Sequence, residues 1–110
     1  MGKGDYLGEF EQLVLLALAT VGEDVPGRDV YEEIARSTGR EVAVTAVYVT
    51  LNRLQKKGFV DAAMGEATPE RGGRAKKLFR LLPAGAGALK QARAHFDILW
   101  ESARAHPELR

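Results

Sequence analysis

The sequence contains no cysteine and no long run of apolar residues. Without cysteine it can form neither a disulfide framework nor a thiolate metal site, and it suits the reducing cytoplasm, where we expect the protein to act. The longest apolar run covers residues 13–19, far short of the roughly 20 residues that a membrane-spanning helix needs. With 110 residues, we expect one globular domain and no membrane partner.

The groups that an active site would need are also missing. Catalysis requires a nucleophile beside a base, or a cluster of metal ligands. The two histidines, His95 and His106, lie eleven residues apart on the predicted last helix and have no neighbouring carboxylate cluster. The Gly72-Gly73 segment lacks the Lys-Ser/Thr pair of a phosphate-binding loop. We therefore expect no enzyme activity, no catalytic residue, no metal site and no cofactor.

The net charge is only +1, but charge is distributed unevenly along the chain. Residues 1–44 hold four Lys or Arg against nine Asp or Glu, a balance of −5. Residues 45–80 hold eight against three, a balance of +5. A basic region of this kind favours an acidic partner such as nucleic acid, and a solvated charged surface is the ordinary alternative.

The spacing of apolar residues predicts two helices in the acidic half. The first covers residues 7–20, with a stripe formed by Phe10, Leu13, Val14, Ala17, Leu18 and Val21. Leu15 and Leu16 lie off this stripe, so this helix needs cover on two sides. After a break at residues 22–27, a second helix is predicted over residues 28–37, with Glu33 outward and Gly39 as its C-terminal cap.

A third helix is predicted over residues 44–57, because Val47, Leu51 and Leu54 have helical spacing. The β-branched residues of this segment are poor helix formers, and a strand over residues 42–49 is the specific alternative. Gly58 can end the helix.

Two extended segments follow, one beginning at residues 59–60 and one over residues 77–82, joined by a loop rich in glycine and charge. A helix followed at once by a basic hairpin is typical of a winged helix-turn-helix. Pro83 fits the first turn of a last helix that runs to about residue 105. The predicted fold is mainly α with a small β-hairpin: a winged helix-turn-helix DNA-binding domain over residues 1–82 and a C-terminal dimerisation helix over residues 83–110.

The outward face of the third helix is the predicted DNA-reading surface. Asn favours adenine, Arg can reach guanine or a phosphate, and small apolar side chains can touch a thymine methyl. The predicted contacts are Thr45, Ala46, Tyr48, Val49, Asn52, Arg53 and Lys56. Two alternatives stay open: Tyr48 can be a partly buried ring with its hydroxyl outward, and Lys56, like Lys57, can simply favour the helix dipole.

The loop between the extended segments is the predicted wing. Glycines permit positive φ and a close approach of backbone to DNA, and cations can reach phosphates or the minor groove. The predicted wing contacts are Arg71, Gly72, Gly73, Arg74 and Lys76. An ordinary hairpin turn with solvated arginines is the alternative.

The last helix carries more apolar surface than a winged domain can cover, which predicts a homodimer. Each buried Leu- or Phe-sized side chain is worth about 1.5–3 kcal/mol. The predicted interface residues are Leu13, Leu16, Leu89, Phe96, Leu99, Trp100 and Ala103. Phe96 and Trp100 also suggest a pocket for a small aromatic effector, but plain packing in the dimer core is the favoured interpretation.

Four short segments carry a resemblance to a known family. The first two are residues 7–11 with residues 13–18, and Val47-Tyr48 with Leu51, Arg53, Leu54 and Gly58. The other two are Gly72-Gly73-Arg74 with Lys77, and Arg80-Leu81 with Pro83-Ala84-Gly85. In this combination the chain resembles the PadR-like family of bacterial transcriptional regulators, in its short form with one C-terminal helix. The family commonly has Pro at the position of Val49 and an aromatic pair at the position of Leu78-Phe79.

The resemblance implies a homodimeric repressor on a palindromic operator in double-stranded DNA, with a small aromatic inducer in some members. We accordingly predict a sequence-specific DNA-binding transcriptional regulator. A winged helix that serves as a protein-interaction module without binding DNA is the alternative.

Overall fold

The computed structural model of the protein describes residues 6–65 and 76–110. Its elements are α1 (Glu9–Val21), β1 (Val25–Pro26), α2 (Gly27–Thr38), α3 (Val44–Lys56), β2 (Val60–Met64), β3 (Lys77–Leu81), α4 (Pro83–Ala103) and a 3₁₀ turn at Pro107–Leu109. The predicted fold class, mainly α with a small β element in a winged helix arrangement, is confirmed. None of the helices in the described ranges is long and apolar enough to span a bilayer.

The first three helices pack around one apolar core. α1 is buried on one broad face, where Leu15 joins Val14, Ala17 and Leu18 in the core. The second apolar side, marked by Leu16 at 52% exposed, stays open among the described residues. Two smaller expectations are wrong. Val21 is 40% exposed rather than buried, since it is the last residue of α1. Glu33 is mostly covered, because its carboxylate accepts hydrogen bonds from its helix neighbours Arg36 and Ser37.

The sheet contains one strand more than a hairpin. β2 and β3 pair antiparallel as predicted, with Val60 opposite Leu81, and β1 adds to the other edge of β3 with Val25 opposite Phe79. β1 has only two residues and includes Pro26, so no alternating pattern marks it in the sequence. Pro26 is tolerated because β1 is an edge strand. Val25, at 3% exposed, closes the core on that side.

α3 is a helix, so the alternative of a strand over residues 42–49 is wrong. Val47, Leu51 and Leu54 are fully buried, and burying this face outweighs the weak helix propensity of the β-branched residues. Gly58 follows the helix with φ of 81°, a conformation that glycine adopts without strain. The chain then turns directly into β2.

α4 begins on the domain and then leaves it. Pro83 occupies its first turn, as predicted. Gly85 is buried, and a Cβ there would lie 2.3 Å from the carbonyl oxygen of Phe59; Leu89 packs on the core. Beyond residue 92 every residue of α4 is exposed. The radius of gyration of 16.1 Å exceeds the roughly 13 Å expected of a compact domain of this size.

Candidate nucleic-acid interface

The face of α3 opposite the core is open to solvent. Val49 is 57% exposed and Ala46 is half-buried, and the polar residues of this face are exposed: Thr45, Asn52, Arg53 and Lys56. Thr50, which the sequence pattern does not single out, is 5% exposed and belongs to the buried side. The described face therefore offers a row of polar and small apolar side chains on a helix whose other side is fixed by the core.

Tyr48 lies at the edge of this face. Its exposed fraction is 38%, and its ring packs against Gly27 at the start of α2, where a Cβ would lie 2.5 Å from Tyr48 Cε1. This position matches the interpretation of a partly buried ring. Gly27 is therefore required for a close approach, and Tyr48 joins α3 to α2.

The tip of the predicted wing lies outside the described residues, and with it Arg71, Gly72, Gly73 and Arg74. The two ends of the loop are well defined. Met64 pairs with Lys77, and the backbone N–H of Gly65 donates to the carbonyl of Lys76 at 2.6 Å. The side chain of Lys76 is exposed. The hairpin thus starts its loop beside the C-terminal half of α3.

A direct side-chain contact joins α3 to the hairpin. Nζ of Lys77 donates a hydrogen bond to Oδ1 of Asn52 at 3.0 Å. Both side chains line an open groove of about 450 Å³, together with Gln55 and Lys56. Lys77 is part of the family resemblance but not a predicted site residue, and only the folded hairpin shows that it reaches α3.

The basic residues of this region divide into two groups. Four of them are exposed on α3 and at the start of β3: Arg53, Lys56, Lys76 and Lys77. Arg80 on β3 is also exposed, but it forms an ion pair with Asp61 at 3.2 Å. Lys57 instead turns to α1, where its ammonium binds the carboxylate of Glu11 at 2.8 Å. Lys57 is therefore occupied by a structural ion pair.

The Glu11 carboxyl responds to this partner. Burial by itself raises the pKa of Glu11, but hydrogen bonds from Lys57 and from the Gly8 backbone N–H outweigh burial and hold the pKa below its ordinary value. The positive charges of Lys57 and Arg53 act in the same direction. Glu11 is therefore ionised at neutral pH although it is 7% exposed.

The predicted dimer residues lie on α1 and α4: Leu16, Leu89 and Phe96 line one groove between these helices, whereas Leu13 faces a groove between α1 and α2. Leu13 and Leu89 are half-buried, whereas the other predicted interface residues are exposed: Leu16, Phe96, Leu99, Trp100 and Ala103. The rings of Phe96 and Trp100 stack at 5.8 Å between centroids with an interplanar angle of 10°. An apolar groove of about 260 Å³ is lined by Gln12, Leu16, Leu89, Arg93 and Phe96. Ile98, at 66% exposed, is not among the predicted residues, because it lies off the main stripe.

A helical core with an outward-facing α3 and an adjoining antiparallel hairpin defines the class of winged helix-turn-helix proteins. Within it, the model of the transcriptional regulator PadR-like family matches residues 15–91. The chain therefore belongs to the PadR-like family of transcriptional regulators. No curated protein sequence matches the chain.

Solved structures show the same fold. A transcriptional regulator from Clostridium thermocellum is 20% identical with a TM-score of 0.71, over 88% of this chain and 91% of that one. A PadR family transcription regulator from Clostridium difficile R20291 is 14% identical with a TM-score of 0.71, over 89% and 97%. The PadR of Bacillus subtilis, solved in complex with operator DNA, is 20% identical with a TM-score of 0.64, over 74% and 46%.

Proposed function

We propose that this protein is a homodimeric transcriptional repressor that binds a palindromic operator in double-stranded DNA. Residues 1–82 bind the DNA, and residues 83–110 join the two copies. The observation that carries the proposal is the arrangement of α3 and the hairpin: the exposed face of α3 and the start of the hairpin loop lie side by side, tied by the Lys77–Asn52 hydrogen bond. An exposed helix of this kind fits the major groove while the wing reaches the adjacent backbone.

Electrostatics supports the same partner. Among the residues that the structure describes, α3 and the hairpin carry five exposed cations, of which Arg80 binds Asp61, and two more arginines belong to the loop sequence. Such a cluster supplies the charge that attracts and positions a phosphate backbone. The similar Bacillus subtilis PadR, whose structure contains operator DNA, supports DNA as the partner of this chain.

The test is footprinting of the purified protein on the DNA upstream of its own gene, followed by affinity measurements as salt is varied. A DNA-binding protein loses affinity with a log–log slope of roughly −0.9 per phosphate contact. Arg53→Ala and Arg74→Ala should both weaken binding, and Arg74→Ala should act more uniformly across sequences. If the affinity for DNA does not depend on salt and is the same in both variants, the alternative of a protein-interaction module that does not bind DNA would be favoured.

Repression and the twofold symmetry of the proposed dimer are tested by separate measurements. The family resemblance implies repression, so deleting the gene should raise expression of a reporter placed behind the footprinted DNA. A twofold body would address half-sites about 34–36 Å apart. The footprint should therefore contain two inverted half-sites separated by one helical turn or a multiple of it.

A small aromatic effector is the second candidate function, and the stacked, exposed Phe96–Trp100 pair is the observation that favours it. A planar ligand could extend this stack between two copies of α4. Titration with planar aromatic compounds should then quench the emission of Trp100, the one tryptophan of the sequence, in a saturable way. A panel of such compounds without quenching would leave both rings as ordinary dimer contacts.

A further inference from the structure

Asn52 on α3 and Lys77 on β3 belong to the proposed DNA-binding face and are in direct contact through a hydrogen bond. The ammonium of Lys77 donates to Oδ1 of Asn52 at 3.0 Å. A second contact holds the lysine, because Nζ lies 5.5 Å from the centre of the Phe79 ring. Phe79 is 1% exposed and fixed in the core, so it provides a rigid support for the cation. Both polar side chains are exposed, and no core packing depends on their bond.

This hydrogen bond changes which base Asn52 can read. An asparagine recognises adenine by accepting from the N6 amino group through Oδ1 while donating to N7 through Nδ2. With Lys77 on Oδ1, one of its two lone pairs is used. A positive charge also stands beside the place where the adenine amino hydrogens would approach. Adenine therefore becomes a poor partner for Asn52 in this arrangement.

The remaining free groups of the pair are hydrogen-bond donors. Asn52 offers its amide N–H groups, and Lys77 offers the ammonium hydrogens that Asn52 does not use. Guanine presents two neighbouring acceptors, O6 and N7, in the major groove, and it is the base that cationic donors read most often. A donor pair at the edge of α3 matches this pattern.

Building on the proposed function, we infer that Lys77 is a specificity-determining residue that acts with Asn52 as a donor-only reader of guanine. Lys77 positions the amide of Asn52 and supplies a second donor. The pair selects guanine over adenine at one base pair of each half-site, whereas Asn52 by itself would prefer adenine.

The experiment is a selection of bound duplexes from a randomised library with the full-length protein and its Lys77→Met variant. Affinities are then measured on duplexes that differ only at the affected base pair. Methionine keeps an unbranched side chain but removes the charge and the donors. The variant should lose preference for guanine over adenine by about tenfold, because the released Oδ1 of Asn52 can accept from adenine.

Three further variants make the result specific. Lys76→Met removes the same charge from the neighbouring residue and should weaken all duplexes equally, lowering the salt slope by about one contact. Lys77→Arg keeps a cationic donor and should keep the guanine preference. In an Asn52→Ala background, Lys77→Met should no longer increase the preference for adenine, because the two side chains act as one unit.

Other outcomes separate this inference from the proposed function. If Lys77→Met weakens every duplex equally, as Lys76→Met does, then Lys77 contacts a phosphate and the inference is overturned while the proposed function stands. If the unmodified protein shows no salt-dependent binding to any duplex, both are overturned.

Discussion

Glu11 and Lys57 form an ion pair that fixes the C-terminal end of α3 against the first turn of α1. The side chain of Glu11 is 9% exposed and that of Lys57 is 23% exposed, so water has little access to hydrate either charge if the pair breaks. Glu11 also accepts from the backbone N–H of Gly8 at 2.9 Å, which satisfies one of the unpaired donors at the start of α1. The pair therefore helps to hold the helix that we propose to enter DNA.

Glu11→Gln should lower the free energy of unfolding by about 1–3 kcal/mol at neutral pH, because Lys57 loses its charged partner in a mostly covered place. Glu9 offers a matched control, since its ion pair with Arg40 is exposed, with side-chain exposures of 70% and 43%. Glu9→Gln should change stability by no more than about 0.5 kcal/mol. Equilibrium denaturation with urea measures both, and equal effects would contradict the structural role of Glu11.

The same residue predicts a dependence of stability on pH. Because the pKa of Glu11 is lower in the folded protein than its ordinary value of 4.5, its contribution is fully present above that value. The contribution is lost as pH falls through the lower, folded-state pKa. Denaturation curves from about pH 7 to about pH 3 should show a smaller acid-side loss for Glu11→Gln than for the unmodified protein. Identical pH profiles would show that Glu11 has the same pKa in both states.

At this scale the sequence indicates residue types but not most of their partners. The bond between Gly8 and Glu11 spans three residues and follows from the first turn of a helix. Lys57 lies 46 residues from Glu11, and Lys77 lies 25 residues from Asn52. No local pattern encodes such pairs. The sequence therefore allows two interpretations of Lys57 and does not predict Lys77 as a site residue.

Among the elements, α4 shows how one residue, Gly85, allows a helix to pack closely on the domain at the point where it leaves it. Its first turn lies directly on the backbone at Phe59, and this close contact leaves no room for a side chain at Gly85. Two residues later Gly87 faces open space, where an added Cβ would have no neighbouring atom within 4 Å. The two glycines thus lie in the same helix, but Gly85 is tightly packed and Gly87 is open to solvent.

Replacing each glycine by alanine should therefore have opposite effects. Gly85→Ala should destabilise the protein by about 1–3 kcal/mol or shift α4 away from β2, because backbone cannot move as a flexible side chain can. Gly87→Ala should stabilise the protein by up to about 1 kcal/mol through helix propensity. Thermal unfolding of the two variants gives the comparison, and a stabilising Gly85→Ala would refute the close packing.

The helices could be predicted from the sequence because each carries apolar residues at a fixed helical spacing, a face that α1, α2 and α3 bury in the core and that α4 leaves largely exposed. The same argument decided α3 between helix and strand, since Val47, Leu51 and Leu54 cannot all face one side of a strand. β1 could not be predicted, because two residues carry no periodicity. It exists because the open edge of β3 offers hydrogen bonds to a chain segment that tertiary packing brings alongside.

The whole molecule is elongated, with a longest dimension of 57 Å, because most of α4 extends beyond the winged domain. Phe96, Leu99 and Trp100 are 60%, 71% and 45% exposed. Burial of side chains of this size is worth about 1.5–3 kcal/mol each. A second copy that packs against α1 and α4 would recover that free energy, which is the physical basis of the proposed dimer.

Leu99→Glu should therefore weaken the proposed dimer, raising its dissociation constant by at least about tenfold, because association would bury an unpaired charge. Ala94→Glu is the control. It places the same charge on the opposite side of α4, as helical spacing requires, and should leave the dimer intact. Sedimentation velocity across a concentration series gives the masses. A monomeric unmodified protein, or equal effects of both variants, would reject this interface.

The sequence by itself determined the helices, the hairpin, the family and the faces of α3 and α4, because these follow from apolar spacing and short motifs that act over a few residues. The tertiary structure alone decided that Lys57 binds Glu11, that β1 completes the sheet and that Lys77 holds Asn52. Each of these depends on segments distant along the chain, which meet only after the core has fixed the elements in space.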